Sequence, residues 1–386
     1  MRLATCVAAE LAVGAIVVGS LAGGAVWAVT ELRPEAASSD PGGEEETGAP
    51  ADVAAPVPGE PAPVPATATV TPAPPADTTG EALVGRAPAP AATERTSIFA
   101  GHPDQALLAP IREGGIARVK IGSCCTSLNM RIDFDNGARA AFKPEQRNLG
   151  SMPRKEIAAY RMDRLLGIGR VPPSIARRFR VDEIAAHLVG AGPAERLRLQ
   201  TEMVAQEGET VGELTWWIPD LAKPSIEGLF LDSPEGVAIW QRELTLGAEI
   251  AAEHAQMVAQ ISSVVLFDFI INNIDRWSGS NILGSKDGSS LYFMDNTMAF
   301  RPQPRGHQKA RFYLRRAQKF SRSLVAALRE LRVEDVRDAV SRDLGAMEYL
   351  LNESEMAAVL SRRDDALAYI DQLIATHGEA AVLVFP

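Results

Sequence analysis

Phe267-Asp268-Phe269-Ile270-Ile271-Asn272-Asn273-Ile274-Asp275-Arg276-Trp277-Ser278-Gly279-Ser280-Asn281-Ile282-Leu283, followed by Tyr292-Phe293-Met294-Asp295-Asn296, is the stretch whose reading decides the fold. An apolar helix runs into a polar loop that carries Asp275 and Asn281. Ser285-Lys286-Asp287-Gly288 predicts a tight turn between short strands over 281–284 and 290–294. That hairpin delivers a second carboxylate, Asp295, from the end of a strand. Moving a γ-phosphoryl group needs one carboxylate to orient the acceptor hydroxyl and separate oxygen ligands to hold the nucleotide's metal. Asp275 suits the first task, while Asn281 and Asp295 supply hard oxygens suited to Mg²⁺ or Mn²⁺. Either piece alone has an ordinary explanation, a surface ion pair for Asp275-Arg276 and a plain turn for Asp295-Asn296. Their order along the chain favours a phosphoryl-transfer site.

A second constellation lies upstream. Met130 to Phe134 and residues 138–143 read as a hairpin around Asp135-Asn136-Gly137, with Phe142 and Lys143 on opposite faces of its second strand. A helix is expected from about Arg154 to Leu166, with Ala158, Met162, Leu165 and Leu166 as its apolar stripe and Glu156 in its first turn. A strand lysine followed by a helix glutamate is the pair that kinases use on nucleotide phosphates, the ammonium neutralising oxygens and the carboxylate fixing the lysine or the metal.

Ala141-Phe142-Lys143-Pro144, then Glu156 to Leu166, then Arg170-Val171-Pro172-Pro173 resembles the nucleotide lobe of the secretory-pathway kinases, the atypical kinase family of the Golgi casein kinase, the glycosaminoglycan xylose kinase and four-jointed. Val211-Gly212-Glu213-Leu214-Thr215-Trp216-Trp217-Ile218-Pro219-Asp220 resembles their inter-lobe segment, and 267–276 with Met294-Asp295-Asn296 resembles their catalytic and metal motifs. The resemblance implies an α+β, two-lobed protein-kinase-like fold, with a mixed β/α N-terminal lobe and a mainly helical C-terminal lobe. It implies that Asp275 is the catalytic acid/base and that Lys143 contacts phosphates. Glu156 would pair with Lys143 and help ligate the metal, and Asp295 would be the main metal ligand. The implied cofactors are ATP and Mg or Mn. Three departures stand out: Trp277 replaces a histidine, Asn281 falls six residues after Asp275, and Thr297-Met298-Ala299 replaces glycines after Asp295. Gly114-Gly115 and Gly122 are candidates for a phosphate-covering loop, without a Gly-x-Gly-x-x-Gly pattern.

The 386-residue chain divides by composition. Residues 1–30 read as a signal anchor or signal peptide, because 11–29 is uncharged, mostly apolar and close to the roughly 20 residues that span a bilayer. Residues 31–95 are rich in Pro, Ala, Glu, Thr and Gly and read as a disordered tether. The kinase-like domain is placed at 96–386, with an N-lobe over about 96–218 and a C-lobe over about 219–386. Its catalytic part is expected to be extracytoplasmic, membrane-anchored or secreted. Only Cys6, Cys124 and Cys125 occur, which leaves the domain one adjacent pair and no zinc spacing. A net charge of −10 argues against nucleic-acid binding. Lys309, Arg311, Arg315, Arg316, Lys319 and Arg322 form a basic run with helical spacing, read as a solvated face or a patch for an acidic or membrane surface. Asp268 reads as a brace for the catalytic loop. Helices are expected over 324–331, 333–351 and 356–375.

The expected function is that of an ATP-dependent phosphotransferase acting on hydroxyls of a protein or glycan acceptor. A nucleotide-binding pseudokinase scaffold, motivated by Trp277, and a small-molecule or lipid kinase are the alternatives.

Overall fold

Alternating apolar residues build the first layer. Met130, Ile132 and Phe134 are buried along one strand, and Ala140 and Phe142 along its partner, while the residues between them are partly exposed. The computed structural model describes residues 97–122, 126–278, 281–341 and 346–386. The expected signal segment, the tether and Cys124-Cys125 lie outside those residues, as does part of the candidate phosphate-covering loop. Among the described residues, no helix is long and apolar enough to cross a membrane.

The chain opens with a short ladder, β1 (Ile98–Phe99) and β2 (His102–Pro103), followed by α1 (Asp104–Glu113). Strands β3 (Ile116–Ile121), β4 (Met130–Phe134) and β5 (Arg139–Pro144) then form an antiparallel meander. The β4–β5 turn uses Gly137 at φ 83°, a left-handed conformation that glycine adopts without strain. Helix α2 (Pro153–Leu165) starts with proline at N1 and ends at Gly167, φ 71°. Strand β6 (Ser174–Arg180) is followed by helices α3 (Val181–Ala186) and α4 (Pro193–Glu202) and by β7 (Glu209–Trp216). The five-stranded order is β3-β4-β5-β7-β6, so β7 inserts between β5 and β6. Gly212 permits the close approach of β7, since a Cβ there would lie 2.5 Å from the Lys143 carbonyl and from the Phe142 ring.

Beyond β7 the chain is mainly helical. Short strands β8 (Leu221–Ala222), β9 (Ser225–Ile226) and β10 (Leu229–Phe230) lead into α5 (Pro234–Glu243) and α6 (Ala255–Ile271). Thirteen of the seventeen α6 residues are buried, which makes it the central helix of this lobe. Strands β11 (Leu283–Ser285) and β12 (Leu291–Tyr292) form the expected hairpin, shorter than the sequence suggested, and β8 joins its edge. Helices α7 (Gln308–Leu314), α8 (Arg322–Glu330), α9 (Val333–Ser341), α10 (Glu353–His377) and α11 (Glu379–Val382) complete the α+β, two-lobed architecture. Phe99, Leu107, Ile218 and Tyr292 pack as a small cluster where sheet lobe, linker and helical lobe meet.

Two expectations change. Helical spacing through residue 351 is met over the described α9, Val333–Ser341, but described residues 346–351 are non-helical, and Met347, Leu350 and Leu351 reach the core from there. The basic run is not one helix. Helix α7 caps at Arg315, and Lys319 is buried, donating to the Glu243 and Ala248 carbonyls at 2.7 and 2.6 Å.

Candidate active site

Lys143 projects from β5 toward the helical lobe and donates from Nζ to Asp295 Oδ1 at 2.8 Å. The antiparallel ladder places Glu213 of β7 directly opposite Lys143, so both side chains leave the same face of the sheet. Glu156 reaches the same point from the first turn of α2. The rotation of α2 is fixed by the adjacent Arg154, which bonds Glu355 at 2.7 and 2.9 Å in the first turn of α10. Glu355 is itself half of a capping box with Asn352.

Glu156 acts on Lys143 through its charge but makes no hydrogen bond or ion pair to it among the described residues. Its carboxylate instead accepts from the Asp295 backbone N–H at 3.1 Å and from the Asn296 N–H. Lys143 therefore holds the Asp295 side chain, while Glu156 holds the backbone beneath it. Asp295 sits at φ 55°, a left-handed conformation that Asp and Asn tolerate better than most residues. Thr297 Oγ1 adds a bond to Asp295 Oδ1 at 3.1 Å.

The electrostatics follow from three carboxylates around one ammonium. Burial alone would lower the Lys143 value, but Asp295, Glu156 and Glu213 outweigh it and keep the ammonium protonated well above its ordinary range. Lys143 pulls Asp295 below the usual carboxylate range, against the effect of burial. Burial raises Glu156 despite Lys143, and burial with the neighbouring Glu156 raises Glu213 well above the ordinary value. Glu213 is 1% exposed and accepts from Thr215 Oγ1, yet its Oε2 has no hydrogen-bond partner. Sequence reasoning did not select Glu213, although a carboxylate in the apolar run Val211 to Thr215 was a visible signal.

Asp275 lies on the loop after α6. That helix ends at Asn272 in a left-handed conformation, φ 55° and ψ 46°. Asn273 Oδ1 accepts the Asp275 N–H at 3.0 Å, turning the chain. Both carboxylate oxygens of Asp275 are then held: Ser278 Oγ donates to Oδ1 at 3.0 Å and Asn281 Nδ2 to Oδ2 at 2.7 Å. Asn281 thus spends its amide hydrogens on Asp275, while its Oδ1 accepts no hydrogen bond among the described residues.

Arg276, 1% exposed, joins the two loops from below. It donates to Asp268 at 3.2 Å, to Asn296 Oδ1 at 2.6 Å and to the Met294 carbonyl. Burial raises Asp268 to about 6, with Arg276 opposing, and the pair gives Asp268 the bracing role expected of it. Trp277 turns away from the cleft. Its ring stacks on Tyr313 at 4.8 Å and 23° and meets Trp240 at 5.0 Å.

Among the described residues, no three His, Cys, Asp or Glu side chains form a metal cage by themselves. The oxygens nonetheless suit a Mg²⁺- or Mn²⁺-type ion that takes one or two carboxylates and completes its shell with phosphates and water. Asp295 Oδ2, Glu213 Oε2 and Asn281 Oδ1 carry no hydrogen bond among the described residues, and all are hard donors.

No family model and no curated protein matches this sequence. Solved structures do match in fold. The crystal structure of the Golgi casein kinase with Mn/ADP bound aligns at TM-score 0.56 and 18% identity, covering 72% of this chain and 78% of that one. A second Golgi casein kinase structure gives 0.57 at 18% identity, with coverages of 72% and 77%. The structure of hydra Fam20 with sugar gives 0.53 at 16%, covering 71% of this chain and 90% of that one. The chain has the two-lobed fold of these secretory-pathway kinases.

Proposed function

We propose that this chain is an ATP-dependent phosphotransferase that phosphorylates hydroxyl groups of a protein or glycan acceptor with Mg²⁺ or Mn²⁺. The observation that carries the reading is the convergence of Lys143, Glu156 and Asp295 from three separate elements beside a loop that holds Asp275 by both carboxylate oxygens. Asp275 takes the acceptor's hydroxyl proton as that oxygen attacks the γ-phosphorus. The bond from γ-phosphorus to the β–γ bridging oxygen breaks, and ADP leaves. Lys143, kept cationic by its carboxylate neighbours, is suited to neutralise phosphate oxygens. Asp295 and Asn281 would hold the divalent ion, which supplies positive charge against the phosphates, with Glu156 contributing a remaining lone pair while its two oxygens brace the Asp295 and Asn296 N–H groups. The Golgi casein kinase structure contains Mn/ADP and the hydra Fam20 structure contains a sugar, which supports nucleotide, metal and both acceptor classes as the first to test. We assign the domain to an extracytoplasmic location behind the N-terminal segment.

The test is transfer of labelled γ-phosphate from ATP by the full chain, with Mg²⁺ or Mn²⁺, to casein and to a glycan panel. Incorporation into one panel and none by Asp295→Ala is the expected result. Trp277 supports one other reading, a pseudokinase scaffold. Thermal stabilisation by MnADP without transfer to either panel would establish that reading and refute ours.

A further inference from the structure

The loop that bears Asp275 is held by a residue more than thirty positions downstream. Lys309 stands in the first turn of α7, and its Nζ donates to Ser278 Oγ at 2.7 Å. Ser278 Oγ in turn donates to Asp275, lying 3.0 Å from Oδ1 and 3.2 Å from the main-chain carbonyl oxygen. The three groups form one chain, ammonium to hydroxyl to carboxylate.

The base of Lys309 is itself fixed. Its N–H donates to His307 Nδ1 at 3.1 Å, and the His307 N–H donates at 2.7 Å to Oδ1 of Asn272, the fully buried residue that ends α6. The lysine and the catalytic loop are therefore anchored on the same helix end. Burial lowers the Lys309 value while Asp275 opposes that shift, so the ammonium senses the carboxylate.

We propose that Lys309 is a positioning residue for phosphoryl transfer, acting through Ser278 to fix the Asp275 carboxylate toward the acceptor hydroxyl. Asn281 holds Oδ2, and without Ser278 the carboxylate keeps one restraint and gains freedom about its side-chain torsion. A polarised hydroxyl is a stronger donor than an isolated one, which is what the cation contributes. The assignment rests on the phosphotransferase reading above. It also gives one member of the basic run a role distinct from a solvated face, because Arg311 and Arg315 are exposed while Lys309 turns inward.

The experiment measures kcat and KM for ATP and acceptor in the full chain as wild type, Lys309→Met, Lys309→Arg, Ser278→Ala and the double variant Lys309→Met/Ser278→Ala. Lys286→Met, at an exposed turn, is the surface control. Lys309→Met and Ser278→Ala should each lower kcat about 10- to 100-fold with both KM values within about twofold, as loss of orientation does. The double variant should be no slower than the slower single one, because both remove the same link. Lys309→Arg should recover most of the rate. A merely structural lysine would give Lys309→Met and Ser278→Ala losses that multiply, and a lysine that binds acceptor would raise acceptor KM alone. Either result overturns the proposal, as does a Lys309→Met protein of wild-type rate. A wild-type chain with no transfer at all refutes the phosphotransferase reading itself, and this one with it.

Discussion

Replacing Arg276 by Met tests the claim that one buried cation couples the Asp275 loop to the Asp295 loop. Arg276 and Asp268 are 1% and 3% exposed, so removing the guanidinium leaves a carboxylate in the core without its partner. Breaking such a pair from one side costs about 3–5 kcal/mol. At about 2–4 °C per kcal/mol for a domain of this size, Tm should fall by roughly 10 °C. Asp268→Leu added to Arg276→Met should return about 2 kcal/mol, since the stranded charge is gone while Asn296 and the Met294 carbonyl still lack their donor. The pH dependence is the sharper part. Burial raises Asp268 from 3.8 to about 6 with Arg276 opposing, and a carboxyl raised on folding gives stability that is complete below its unfolded value and lost as pH rises through its folded value. In wild type that loss falls between about pH 4 and 6 and amounts to about 3 kcal/mol. Without Arg276 the folded value climbs further, so the loss continues above pH 6 and the deficit of the variant grows with pH. Urea unfolding followed by tryptophan fluorescence at about pH 5 and pH 8 reads both quantities. A deficit under about 1 kcal/mol, or one equal at the two pH values, would refute the buried-pair argument.

Asp275→Ala and Asp295→Ala should each lower transfer by about 10³-fold or more in the labelled-phosphate assay, with Asp295→Ala also losing thermal stabilisation by MnADP and Asp275→Ala keeping it. Lys143→Met should raise KM for ATP and lower kcat together, because it removes the proposed phosphate contact and frees Asp295; unchanged kinetics would exclude Lys143 from the site. Glu213→Gln should stabilise the fold at neutral pH. Burial raises its carboxyl, so its ionised form costs stability as pH rises through the folded value, and a neutral amide avoids that cost. A melting temperature at pH 8 below that of wild type would contradict this.

Much of the site was legible because its parts are local. The Asn-Gly turn, the alternation around Phe142 and the proline start of α2 are each set within a few residues, and they place Lys143 and Glu156 without reference to the rest of the chain. The order Asp275, Asn281, Asp295 likewise lies within one loop and hairpin. What escaped depends on contacts between distant segments. Glu213 faces Lys143 only because β7 inserts beside β5 across about seventy residues, and period-two alternation does not reveal which strand becomes a neighbour. Lys309 and Lys319 share one basic run in sequence, but the first meets Ser278 while the second is buried against backbone carbonyls. Arg362 is fully buried with bonds to the Ile270 and Gln303 carbonyls at 2.8 and 2.9 Å, and no local signal separates it in sequence from its exposed-helix counterparts. Apolar periodicity reports burial and not helicity, which is why it carried through to Leu351 after the helix had ended.

The departures that set this chain apart from the kinase pattern resolve into packing. Trp277 stands where the pattern has histidine, and an indole there has too much apolar surface to face a polar cleft. It turns to stack on Tyr313 and Trp240, and in doing so it ties the loop to α5 and α7, the helices that carry those rings. Helix α7 is also the element that presents Lys309 to Ser278, one residue after Trp277. In this chain the loop is therefore positioned from α7, which follows Asp295 by way of Thr297, Met298 and Ala299. A loop held from α7 needs that segment to be firm, since slack between Asp295 and Lys309 would loosen both carboxylates together. Buried Ala299 and Phe300 and the Thr297 bond to Asp295 supply that firmness. Tryptophan in the loop, the missing glycines and the inward-turned lysine are on this reading three parts of one arrangement.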